Sequence, residues 1–261
     1  MNRLKTKLEK IYSEYSKLEN TSDPLHLIHQ LKDKKDIEVF AFLSSIIAYG
    51  SIVQINKGLS EFLKASNHKP YKYIFTFSEK NKINLKHRFY SERDMKNLFM
   101  LLKKILNEYD TIGNYFRQFY SDEHYTVKKS VSGFSNSLLS IYENNFGEAS
   151  QGIKFMFPIP EKGSACKRMN LFLRWMVRKD NLDFGLWEFI PPKKLIIPVD
   201  THIAKISYEL GLTERKVINW KMAEEITDNL RKFDKDDPVR FDYALCHFDM
   251  IKENSDYSIK I

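Results

Sequence analysis

The sequence predicts an all-α protein, and three observations carry that expectation. Apolar residues recur at steps of three and four along most of the chain, the period of a helix buried on one side. No segment shows the sustained period-two alternation between turn residues that a half-buried strand leaves. Helix start and stop signals fall where the periodic runs begin and end.

Taken in order, Leu4, Leu8, Ile11, Tyr12, Tyr15 and Leu18 line one face of a first helix that must dock on something. Ser22-Asp23-Pro24 stops that run and restarts the chain. Val39, Phe40, Phe42, Leu43, Ile46 and Ile47 are apolar almost all round, which predicts a central helix closing at Gly50 as its C′ residue. Ser91 with Asp94 resembles a capping box ahead of Met95, Leu98, Phe99, Leu102, Ile105 and Leu106. Further helices are expected over 131–142, 167–177, 201–210, 222–230 and 238–250. Asp237-Pro238 supplies the last with an N-cap and a proline at the first helical position. The polar stretches 78–82 and 142–151 read as loops within a compact body, with no internal repeat and no low-complexity linker.

Composition narrows the classes. With 43% hydrophobic and 29% charged residues, the 261-residue chain is neither disordered nor collagenous, and it can bury a core as one large or two modest lobes. The 42 Lys+Arg exceed the 34 Asp+Glu, a net charge of +8 that suits an acidic partner yet is common among proteins that never meet DNA. The first ten residues alternate charged and apolar types, so no secretory signal is expected. The longest weakly polar run, 39–49, falls far short of the roughly 20 residues of a membrane span. The expectation is a soluble cytoplasmic protein. Cys166 and Cys246 are too few for a disulfide framework or for a four-cysteine zinc or iron–sulfur site. His26 and His29 are spaced i, i+3 without a matching carboxylate or cysteine cluster, so neither metal nor cofactor is expected. Between 64 and 90, lysines and aromatics interleave, from Lys69, Tyr71 and Tyr73 to Lys86, His87, Arg88 and Phe89. Such a mixture could track a nucleic-acid strand or form a solvated face over core aromatics.

The chemistry-bearing stretch is 157–210. Pro158, Pro160 and Gly163 predict a tight turn feeding a helix that starts near Ser164, whose unpaired N–H groups would form an anion site. Lys167 then sits in the first or second turn, where the helix's positive end and the neighbouring Arg168 lower an amine's proton affinity. It is either a nucleophile or a solvated lysine. Cys166 reads as a small packing residue, with a reactive thiol as the alternative. Downstream, Pro198-Val-Asp200-Thr-His202-Ile opens another helix, with Asp200 either a plain N-cap or a functional carboxylate.

A lysine on a turn-plus-helix followed by Pro-Val-Asp-Thr-His-Ile resembles the helix-hairpin-helix DNA glycosylases. The spacing of 33 residues (200 − 167) is similar to the archaeal 8-oxoguanine branch. The runs 163–178 and 195–202, with 24–58 and 237–247, also resemble a bacterial family of unknown function in that superfamily. The resemblance implies an all-α, two-lobed fold with the active site in the interlobe cleft. One lobe would span 23–178 and the other 1–22 with 179–261. It implies a bifunctional glycosylase/AP lyase of base excision repair, a nucleoid-associated monomer that needs no cofactor and whose partner is DNA holding a damaged base. Lys167 would be the Schiff-base nucleophile and Asp200 its essential carboxylate. Asp242, Cys246 and His247 would line the base pocket, with Asp242 the reader or else a helix-surface carboxylate. Tyr49, Gly163, Ser164, Arg168 and His202 would meet DNA, although an aromatic core role for Tyr49 is the plainer alternative. Two departures stand out: the usual L-P-G-x-G hairpin is reduced to Gly163, and the four-cysteine cluster is absent. The rivals are a non-catalytic DNA-binding or scaffold protein on the same fold, and an RNA-processing or nuclease activity, which would want clustered metal-binding carboxylates.

Overall fold

The computed structural model describes residues 2–18, 23–83, 85 and 90–258. Among these residues the regular elements are all helices, and an isolated bridge joins Lys179 and Phe184. The protein is all-α. No described helix is long and apolar enough to cross a membrane. Lys86 to Phe89, part of the interleaved basic stretch, and Ser22 of the stop signal lie outside the described residues.

Two compact units divide the chain: Met1–Glu19, Tyr125–Val127 and Pro160–Ile261 form one, and Asn20–His124 with Lys128–Ile159 form the other. Helix α1 (Asn2–Tyr15) opens the first unit. The second contains α2 (Leu25–Ile28), α3 (Lys34–Ile47), α4 (Ile52–Ala65), α5 (Pro70–Phe75), α6 (Glu92–Tyr109), α7 (Ile112–Arg117), α8 (Lys128–Phe146) and α9 (Gln151–Met156). The first unit resumes with α10 (Lys167–Val177), α11 (Thr201–Glu209), α12 (Trp220–Arg231) and α13 (Asp242–Ser258).

In the second unit α3 is the buried centre. Every residue from Ile37 to Ile47 is buried, as all-round apolarity requires. The one charged residue among them is Glu38, whose two carboxylate oxygens accept from the N–H groups of Ile112 and Gly113, both at 2.8 Å. The carboxylate thereby satisfies two of the donors that a helix start leaves open, here at α7. Both halves of the Ser91–Asp94 capping box form at the start of α6. Phe62, Tyr73, Phe77 and Phe99 pack edge to face or tilted with centroids 5.2–6.4 Å apart, so Tyr73 and Phe77 of the basic stretch serve the core.

In the first unit α13 packs on α1 and α11. Tyr12 and Tyr15 of α1 lie edge-on to Phe241 and Phe248, at 6.0 and 5.6 Å, which is the docking the first amphipathic run required. Two expected boundaries move and one expected cap does not form. The helix expected over 131–142 extends to 128–146, shortening the loop expected from 142. The helix expected from Pro238 begins as a 3-10 turn, Pro238–Phe241, and becomes α-helical only at Asp242. Asp237 makes no capping bond, because both its carboxylate oxygens take the Arg178 Nε–H at 2.9 Å instead.

The unit boundary also differs from the one expected after residue 178. Helix α10 groups with the later helices α11 to α13. Its residues from Arg168 to Val177 are all buried, and the arginines at its end bind acids further along the chain.

A candidate lysine–aspartate site

Pro160–Lys162 makes a single 3-10 turn, and Gly163 continues with φ at 86°, in the left-handed region that favours glycine. An added Cβ would meet nothing within 4 Å, so glycine is there for backbone conformation rather than packing. Ser164 Oγ then accepts from the Cys166 N–H at 3.1 Å, closing one more local turn. Cys166, also left-handed with φ at 49°, is the N-cap residue, and α10 starts at Lys167. The helix thus spans Lys167–Val177, the range its apolar spacing predicts, and begins three residues after the Ser164 start that the turn residues suggest, because a side-chain turn competes with the helical hydrogen bonds. Burial pushes the Cys166 thiol up to about 12, which leaves packing and not thiolate chemistry as its role.

The second half of the site is held by α12. The Ile197 N–H donates to Thr227 Oγ1 at 3.0 Å, pinning the buried extended run Leu195–Val199 that ends at Asp200. Asp200 is the N-cap of α11: its Oδ1 accepts from the Ile203 N–H at 3.0 Å. Its Oδ2 lies 3.6 Å from Lys167 Nζ. The cap reading and the functional reading of this aspartate are thus compatible, one oxygen each. Both side chains are part-exposed, 31% for Lys167 and 27% for Asp200, so a solvent-borne ligand has access to the pair.

Asp242, the first residue of α13, is 4% exposed and does not lie on the helix surface. Its Oδ2 accepts from Arg174 Nη1. Burial pushes this carboxyl up to about 6 against the attraction of Arg174. The charge of Asp200 adds to the rise and that of Lys167 opposes it, so all three groups share one electrostatic environment. Behind Asp242 runs an alternating chain of charge. Arg174 Nε donates to Asp183 at 3.2 Å; Asp183 also binds Arg178, which reaches Asp180 and Asp237 at 2.9 Å.

The remaining expected contact residues are more scattered in role. His202 Nδ1 is 2.9 Å from Oδ2 of the fully buried Asp249, whose Oδ1 lies 3.6 Å from Lys205. Cys246 is half-buried. The His247 ring stacks on Tyr243 at 4.1 Å, and its Nδ1 is 2.9 Å from the Tyr243 carbonyl, so its own helix orients it. Arg168 is buried. Tyr49 belongs to the second unit; it is 49% exposed, edge-on to Phe155 at 5.3 Å, and on the rim of a cavity of about 560 Å³ that Gln54, Tyr90 and Met95 also line. Among the described residues, no three His, Cys, Asp or Glu side chains are grouped to hold a metal ion.

Sequence inspection passed over Arg174, Arg178 and Asp183. A signal was present: two arginines at i, i+4 inside Leu171-Phe-Leu-Arg-Trp-Met-Val-Arg178 must be buried with α10, and buried guanidinium demands acids.

Fold and site together define an all-helical protein with a part-exposed lysine–aspartate pair backed by a buried Arg–Asp chain. Residues 23–251 match the family described as "Protein of unknown function (DUF2400)", and the chain belongs to that family. Comparison with curated proteins and with solved structures finds no match.

Proposed function

We propose that the protein is a bifunctional DNA glycosylase/AP lyase that removes an oxidised purine of the 8-oxoguanine kind, with Lys167 as nucleophile and Asp200 as its carboxylate. The observation that carries this reading is the 3.6 Å approach of two side chains 33 residues apart (200 − 167), both open to solvent. A lysine-bearing helix behind a Gly163 turn, in an all-helical chain, agrees with the two-lobed helix-hairpin-helix architecture that goes with the proposal.

The chemistry needs those two groups. The Lys167 amine attacks the sugar C1′ while the N-glycosidic bond breaks, and the base leaves with the bonding pair and takes up a proton. Asp200, held by its cap bond, stabilises the positive charge that develops on the sugar and accepts a proton as the amine is consumed. The sugar C1′–O4′ bond then opens, O4′ taking up a proton, to leave an imine; the imine lets the 2′ carbon lose a proton as the C3′–O bond breaks and the 3′ phosphate departs with the bonding pair, and water then releases Lys167. The base must leave the duplex first, and the buried Asp242 is the proposed acceptor for the N7–H that oxidation adds to guanine. Such an enzyme would work on the nucleoid, in the cytoplasm.

Borohydride trapping on oligonucleotides carrying a panel of lesions tests the proposal. A covalent adduct on the 8-oxoguanine duplex, lost in Lys167→Gln, is expected. Duplex binding with no adduct on any lesion would favour the non-catalytic DNA-binding alternative instead.

A further inference from the structure

Arg174 is the only link the hydrogen bonds draw, among the described residues, between the Asp242 carboxylate and the rest of the first unit. Its geometry is that of a clamp. Nη1 holds Asp242 Oδ2, while Nε holds Oδ1 of Asp183, a carboxylate with no solvent exposure. Asp183 is itself held from the far side by Arg178 Nη1, and the Asp183 N–H donates nothing to the clamp because it bonds Asp180 Oδ1 at 2.8 Å. Arg178 is in turn anchored on Asp237 and Asp180, both part-exposed. Two dry carboxylates and two dry guanidiniums thus alternate, and the chain's wet end is at Asp180 and Asp237. A planar guanidinium gripping two carboxylates through different nitrogens fixes direction as well as charge, which an ammonium would not.

The groups facing Asp242 are few. From α10 come Arg174 and Lys167, and from the start of α11 comes Asp200. The Tyr243 ring, next along α13, lies 5.9 Å from the Arg174 guanidinium. On the other elements packed against α13, Glu9 of α1 pairs with Arg240 of the preceding 3-10 turn, which also reaches Asp234, while His202 and Lys205 of α11 meet Asp249, and Glu209 of α11 meets Lys252, both further along α13.

We propose that Arg174, braced by Asp183, is the positioning residue of this site: it holds the Asp242 carboxylate in place within reach of the charges on Lys167 and Asp200. The Asp242 Oδ1 atom is the one left to a ligand, since Arg174 takes Oδ2. Burial alone would keep Asp242 protonated, and the guanidinium opposes that tendency. A protonated Asp242 is a donor where an acceptor is needed, so Arg174 determines the chemical character of the site without touching a substrate. This role rests on the proposed base-reading function for its consequence, though not for its geometry.

The test therefore has one arm that needs no activity. Carboxyl-carbon NMR on the full chain labelled at aspartate follows the Asp242 titration, assigned with Asp242→Asn. In Arg174→Met the Asp242 midpoint is expected to rise by about one pH unit or more, the effect of removing an adjacent opposite charge. Arg174→Lys should restore part of the shift, and Asp183→Asn, which leaves Arg174 in place but unbraced, should give a smaller rise. An Asp242 midpoint that does not move in Arg174→Lys and Asp183→Asn overturns the proposal, and those two variants decide it if Arg174→Met fails to fold. The second arm is trapping on 8-oxoguanine and abasic duplexes. Arg174→Lys should lose preference for the lesion with little loss on the abasic site. Absence of trapping in the wild-type protein, with the NMR shift intact, would remove the glycosylase reading and leave the positioning role of Arg174 standing.

Discussion

Asp200 divides its carboxylate between a helix cap and a lysine, and that division decides what a single substitution reports. Asparagine keeps an oxygen for the Ile203 N–H and discards the charge facing Lys167. Under the proposed function, Asp200→Asn should therefore melt close to the wild-type temperature while excising base about 100-fold more slowly, the scale of a lost electrostatic contribution at a reacting centre. Equal excision rates would leave Asp200 as a cap alone. Lys167→Gln should abolish borohydride trapping and retain duplex binding within a few-fold, since phosphate contacts spread over many residues supply most affinity. Asp242 adds a pH-dependent test. Pushed up to about 6, it is mainly an ionised acceptor at neutral pH and a neutral acid below that value. Under the proposed base-reading role, preference for 8-oxoguanine over guanine should thus decline as pH falls through about 6, because the proposed acceptor for the lesion's N7–H is lost. Discrimination that is flat across that range, or unchanged in Asp242→Ala, would show another group reads the base.

Elements were legible from the sequence in proportion to their length. Helices α3, α6, α10 and α12 span 11 to 18 residues, long enough for the 3.6 period to repeat, and each lies where the apolar spacing puts it. Helices α2, α5, α7 and α9 have four to six residues, barely more than one turn, so no period can be read and only tertiary packing defines them. For α4 the period was available at Ile55, Leu59, Phe62 and Leu63, but Gly58 interrupts it. Lys167 and Asp200 were legible as a paired motif, whereas the Arg–Asp chain was not. Arg174 and Arg178 announce that partners must exist, yet only the fold brings Asp237 and Asp242, from 59 and 68 residues away, to meet them. That chain ties α10 to its own unit, and its loss is measurable at this scale. Arg178→Ala would leave Asp183 buried beside one guanidinium instead of two and strand Asp237, a change of about 3–5 kcal/mol in unfolding free energy. Urea denaturation measures it; a loss below about 1 kcal/mol would mean that water replaces the guanidinium without penalty.

For the molecule as a whole, the balance of shifted carboxylates determines how stability responds to acid. Burial raises Asp183, Asp237 and Asp242 in the first unit and Asp36 in the second. Among the described residues two aspartates are lowered from 3.8: Asp180, where the Arg178 charge and backbone donors overcome its burial, and Asp110, chiefly through its hydrogen bond from Lys35. The two sets act in different windows. A lowered carboxylate contributes stability above its unfolded value, and that contribution disappears only as pH falls through the folded value, below 3.8 for Asp180 and Asp110. A raised carboxylate does the reverse. Between the unfolded value of 3.8 and the folded value of about 6 for Asp242, the native state binds more protons than the unfolded chain. Stability must then fall as pH rises through that window and level off above it. The melting temperature should accordingly increase as the buffer is taken from pH 7 to about pH 5, against the common trend of acid destabilisation in proteins whose carboxylates are mostly ion-paired at the surface. Asp242→Asn removes the titrating group but keeps an oxygen for Arg174, so its melting curve should show a visibly smaller increase over the same range. A wild-type melting temperature that drops toward pH 5, or an Asp242→Asn profile parallel to the wild type, would mean that Asp242 does not hold its proton in the folded protein, and the buried guanidinium of Arg174 would then face a permanently charged carboxylate.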